Sequence, residues 1–153
     1  MNRHACAFFT VLIALAAPGW AQDPPESFNA RDGVAIKGYD PVAYFTLDAA
    51  VPGDPSIATE HGGVVYQFST EEHLELFVAD PAQYVPAYGG WCAWAVSRNS
   101  LADIDPRAYT IHEGRLYLNY SHILNTRFRL GLGSNIERAE AHWPELARQA
   151  ASR

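Results

Sequence analysis

Apolar residues alternate along two stretches of the chain and recur at helical spacing along two others. Val64, Tyr66 and Phe68 occupy every second position, as do Leu116, Leu118 and Tyr120, the period of a half-buried strand. Each stretch is one arm of a β-hairpin. Residues 57–61 and 64–68 flank Gly62-Gly63, a pair suited to the positive φ of a tight turn, and residues 108–112 and 115–120 flank Glu113-Gly114. Leu74, Phe77 and Val78 form the inward stripe of a helix over residues 71–79. Ser69 is expected to cap that helix, with Glu72 completing a capping box. Ile136, Ala139 and Trp143 mark a second helical face, which starts after the capping box Ser134–Glu137 and is expected to stop at Pro144.

Turn chemistry supplies the remaining boundaries. Asp40-Pro41 opens a short helical turn carrying Val42, Tyr44 and Phe45, because Asp caps and Pro fits the first helical position. Residues 51–55 form a loop through Pro52-Gly53 and Asp54-Pro55. Asp80-Pro81 ends the first long helix and seeds a turn to Tyr84, and Ser121 caps a helix to about residue 129. Residues 88–96, Tyr-Gly-Gly-Trp-Cys-Ala-Trp-Ala-Val, fit helix and strand equally, and their glycines suggest close backbone approach. Adjacent hairpins with segregated helices predict an α+β domain of two β-hairpins and several short helices.

Composition changes this picture at the N-terminus. Residues 1–21 read as a secretory signal: Arg3, an apolar run from Ala5 to Ala17, the breaker Pro18-Gly19, and small residues Gly19 and Ala21 before the cut. The run is too short to span a bilayer, so a periplasmic or secreted protein is expected. Residues 22–34 form a flexible lead-in, 35–147 the domain, and 148–153 a C-terminal tail. The whole chain has 153 residues, with a formal net charge of -6 and only Lys37 among its lysines. Without a basic face, nucleic acid is not an expected partner, and no membrane partner is expected once the signal is gone. Cleavage also removes Cys6, leaving Cys92 as the sole cysteine, unable to form an internal disulfide.

Five segments carry a family resemblance. They are residues 36–45, Ile-Lys-Gly-Tyr-Asp-Pro-Val-Ala-Tyr-Phe; Tyr66-Gln67-Phe68 with Phe77, Asp80-Pro81 and Tyr84; residues 88–96; residues 116–121, Leu-Tyr-Leu-Asn-Tyr-Ser; and Asn135-Ile136 with Trp143-Pro144. In this order they resemble the exported bacterial YHS domain-containing proteins, over residues 35 to 146. The resemblance implies a compact, zinc-finger-like core with C-terminal helices, and it implies metal binding, since related YHS domains attached to copper-transporting ATPases carry cysteines. At the positions of those cysteines this chain has Ala43, Ser69 and His73. The resemblance therefore implies an inherited scaffold whose metal site is lost or rebuilt.

Three functional expectations follow. The first is a periplasmic copper-binding or copper-handling module, with Cys92 as the soft anchor and His73 as a second ligand. The second is a non-enzymatic interaction or scaffold module, with an unidentified protein partner, that keeps the fold without the ligands. The third is a single-thiol redox sensor, which requires an exposed Cys92 of low pKa. His61, His112 and His122 sit beside turns and are expected on the surface. No paired carboxylates, nucleophile elbow or phosphate loop is recognised, so no catalytic residue is assigned.

Overall fold

The structure, a computed structural model, describes residues 27–152. The expected signal, residues 1–21, lies outside the described residues. The described chain is mixed α+β, with two sheets and six α-helices. β1 (Ala30–Arg31), β2 (Val34–Ala35), β3 (Asp54–His61) and β4 (Val64–Phe68) form one sheet in the order β1-β2-β4-β3. β5 (Asp105–His112) and β6 (Arg115–Asn119) form the other. The helices are α1 (Ala43–Thr46), α2 (Glu71–Ala79), α3 (Pro81–Tyr84), α4 (Ala93–Val96), α5 (His122–Leu130) and α6 (Leu132–Ala151). None of the described helices is long and apolar enough to cross a membrane.

Both hairpins fold about the turns expected of them. His61 pairs with Val64 across Gly62-Gly63, where both glycines have positive φ, and His112 pairs with Arg115 across Glu113-Gly114. β3 begins at Asp54, inside the stretch expected as a loop, because its register shifts between Asp54 and Ala58 and lets Asp54 pair with Phe68. The described part of the lead-in, residues 27–34, is also structured. Ser27 is fully buried, Asn29 N donates to Gly89 O at 2.8 Å, and β2 runs parallel to β4 through Val34 and Val65.

Two cores lie on either side of β6. Leu116 and Leu118 join Tyr44, Tyr66, Phe68, Phe77 and Cys92 in the first. Tyr117 joins Tyr88, Val96, Phe128 and Trp143 in the second. The strand is therefore covered on both faces, Asn119 included, while Tyr120, expected inside, is 58% exposed. Alternation shows which residues share a face; it cannot show that helices cover both faces.

The helices depart from expectation where tertiary packing overrules local signals. α6 continues through Pro144 for 20 residues and takes in 148–151 of the expected tail. Its stripe Ala139, Trp143, Leu146, Ala147 and Ala150 is buried along the whole length, which offsets the lost hydrogen bond at Pro144. Ser134 does not cap this helix: its hydroxyl donates to Gly131 O, and the helix starts at Leu132. Residues 88–96 resolve into a 3-10 turn over Ala87–Gly90 followed by α4. Gly89 has φ 57°, and a Cβ there would lie 2.6 Å from Ser27 O, so the glycine is required by the chain that crosses it.

Candidate functional site

The three positions singled out by the YHS comparison, Ala43, Ser69 and His73, converge on one carboxylate. Asp40 is fully buried. Its Oδ1 accepts from Val42 N at 2.9 Å and Ala43 N at 3.2 Å, closing the turn that leads into α1, whose N-cap position is Val42 rather than the expected Asp40. Its Oδ2 accepts from Ser69 N at 2.8 Å, Ser69 Oγ at 2.6 Å and His73 Nδ1 at 2.6 Å. Five donors thus meet two oxygens, which fills the acceptor capacity of a carboxylate. Burial works to raise the Asp40 pKa. The hydrogen bonds from the Ser69 hydroxyl and amide, then from His73, outweigh it and hold the carboxyl below its ordinary range.

This junction changes the start of α2. Ser69 was expected to cap the helix, but its hydroxyl is committed to Asp40. Thr70 caps instead, its Oγ1 accepting from His73 N at 3.2 Å. The helix is thereby rotated so that His73 and Phe77 are buried, while Val78 is 59% exposed. Leu74 packs against the first core as expected. His73 lies only 7% exposed, with its second ring nitrogen, Nε2, 3.1 Å from Thr46 Oγ1. Thr46 ends α1 and is itself exposed. A ring donating from Nδ1 to Asp40 presents Nε2 as an acceptor in its neutral form, so Asp40 selects the tautomer that faces the Thr46 hydroxyl.

Cys92 belongs to a different junction. It is fully buried in the first core, just before α4. Its thiol donates to Asn119 Oδ1 at 3.8 Å and accepts from Tyr120 N at 3.3 Å. Asn119 Oδ1 also accepts from Trp94 N at 3.0 Å, and its Nδ2 donates to Asn125 Oδ1 at 2.9 Å. Asn125 then donates to Tyr109 O at 2.8 Å and accepts from Thr110 Oγ1 at 2.7 Å. The chain of amides ties β5, β6, α4 and α5 together. Desolvation pushes the Cys92 thiol pKa up, against smaller opposing effects of backbone hydrogen bonds from Ala95, Tyr120 and Trp94.

Cys92 and His73 therefore keep separate partner sets. Copper(I) needs an available thiolate and a free imidazole nitrogen. Cys92 is desolvated in its neutral form, and both nitrogens of His73 are engaged. Among the described residues, no group of three or more His, Cys, Asp or Glu side chains is placed to hold a metal. Among the described residues the other histidines are dispersed: His61 packs edge-on against Phe77, His112 lies 3.9 Å from Glu113, His122 is exposed, and His142 Nδ1 lies 3.1 Å from Val96 O.

Two members of the site were not assigned from sequence. Asp40 was legible only as a helix cap, and Thr46 carried no signal beyond its place four residues after Val42. The Asp40–His73 bond spans 33 positions, beyond the reach of local pattern. Searches against protein families, curated proteins and solved structures return no match for this chain.

Proposed function

We propose that the chain is an exported scaffold or interaction module of YHS type that works without bound copper. In this reading, a hydrogen-bonded carboxylate–histidine cluster has replaced the metal site of the cysteine-bearing domains. The observation that carries it is the convergence of Ala43, Ser69 and His73 on the saturated carboxylate of Asp40. Here an amide, a hydroxyl and an imidazole surround an anion that the protein itself supplies. Cys92, sealed in the neighbouring amide network, is accounted for by packing and by its two hydrogen bonds. The same sealing and the raised pKa disfavour an exposed redox thiol.

Metal analysis after native purification, followed by Cu(I) titration under reducing conditions, tests the reading. The expected result is no stoichiometric metal, no saturable Cu(I) binding and no change of thermal midpoint with chelator. Stoichiometric Cu(I) binding that disappears in Cys92→Ser or His73→Gln would overturn it and restore the copper-handling module.

A further inference from the structure

The Asp40 cluster does more than hold two helices together: it ends on a hydroxyl at the surface. Asp40 Oδ2 to His73 Nδ1 is 2.6 Å, and His73 Nε2 to Thr46 Oγ1 is 3.1 Å. The order carboxylate, imidazole, hydroxyl is the arrangement by which a base activates a weak oxygen nucleophile, and it is recognised by geometry rather than by chain order. Burial is graded along the relay. Asp40 is inaccessible, His73 is almost so, and Thr46 is exposed. The hydroxyl proton has two acceptors within reach, Nε2 at 3.1 Å and Val42 O at 3.2 Å, so turning it toward the ring exchanges one hydrogen bond for another.

We infer that Thr46 is an acyl-accepting nucleophile, with His73 as its general base and Asp40 as the residue that positions the ring. The substrate class is a small activated ester, whose carbonyl can approach an exposed hydroxyl. Thr46 Oγ1 forms a bond to the carbonyl carbon while its proton passes to His73 Nε2. The tetrahedral intermediate then expels the alcohol, breaking the ester C–O bond. His73 returns the proton to the departing oxygen. The products are acyl-Thr46 and one free alcohol, with no change of oxidation state. The inference shares the Asp40–His73 bond with the copper-free reading but adds Thr46, so acylation at Thr46 and Cu(I) titration report on the two separately.

The test is to incubate the purified protein with p-nitrophenyl acetate. Release of p-nitrophenolate is followed optically, and the acetylated residue is located by peptide mass spectrometry. The expected result is a burst of one equivalent, with the acetyl group on Thr46. Thr46→Val, which lacks the attacking oxygen, should lose the burst and the acetyl group at position 46, and His73→Gln should acylate roughly 10²-fold more slowly, the low end of what a positioned general base contributes. Thr46→Ser should retain the burst, and an exposed site lets both variants fold, which circular dichroism checks. A slowing in deuterium oxide should be present in the parent and lost in His73→Gln. Asp40→Asn should reduce both the rate and that isotope effect, since the amide favours the wrong ring tautomer. Acetyl groups found only on Lys37, the N-terminal amine or His73 would overturn the inference, as would an unchanged burst in Thr46→Val.

Discussion

The two buried polar junctions solve one packing problem with opposite electrostatics. Around Asp40 an anion is held by amides, a hydroxyl and an imidazole, joining α1, the start of α2 and the end of β4. Around Asn119 a neutral amide is held by a thiol, a backbone amide and a second asparagine, joining β6 to α4 and α5. Each satisfies groups that burial would otherwise penalise. The charged junction stores more energy in its pairing and exposes more to loss when one partner goes. It also responds to protons and reaches the surface at Thr46, whereas the neutral junction is closed on itself. The contrast places chemical potential in the first and structural specification in the second.

The largest effect should follow from breaking the charged junction. Asp40→Ala leaves His73 and the Ser69 amide without their acceptor and is expected to cost about 3–5 kcal/mol, measured by urea unfolding. Asn119→Ala should cost less, about 2–3 kcal/mol, because fewer groups lose a partner and none of them was bonded to a charge. Equal losses would break the comparison and make the two junctions energetically interchangeable.

A pH series sharpens it further. The Asp40 pKa is depressed in the folded protein below 3.8. Its contribution is therefore fully present above that value and is lost as pH falls through it toward the folded pKa. The parent should lose stability along this acid limb, Asn119→Ala should keep the limb, and Asp40→Asn should flatten it. Ser69→Ala removes one of the hydrogen bonds that depress the pKa, so it should shift the limb upward and cost about 1–2 kcal/mol at neutral pH. An acid limb unchanged in Asp40→Asn would assign the pH dependence to other carboxylates.

The chain's local signals and its junctions differ in how far they could be read in advance. Gly62-Gly63, Glu113-Gly114, Asp80-Pro81 and Ser121 act within a few residues, and the elements they bound are present. Ser69 and Ser134 match capping boxes, yet each is drawn to a partner that the local window does not contain or weight correctly. Pro144 should interrupt a helix, but a continuous buried stripe carries α6 past it. His73 and Cys92 were singled out by residue type. Their environments depend on Asp40 and Asn119, which lie 33 and 27 positions away. The two-sided burial of β6 likewise follows from α5 and α6 packing over it, which alternation within the strand does not encode.

The smallest effect, and the finest test of the neutral junction, lies at Cys92. Cys92→Ala removes a sulfur that accepts from Tyr120 N and donates weakly to Asn119. It leaves Asn119 with its Trp94 and Asn125 bonds intact. The expected cost is about 1–2 kcal/mol, from one unmet amide and a small cavity. The parent thiol, buried and with its pKa raised, should react with an alkylating reagent only when the protein opens. Its labelling rate should then rise with urea in step with global unfolding, and Asn119→Ala should accelerate it in proportion to the stability lost. Fast labelling in the absence of urea would mean that the amide network opens locally. The division between a reactive charged junction and a sealed neutral one would then fail at the residue that best defines it.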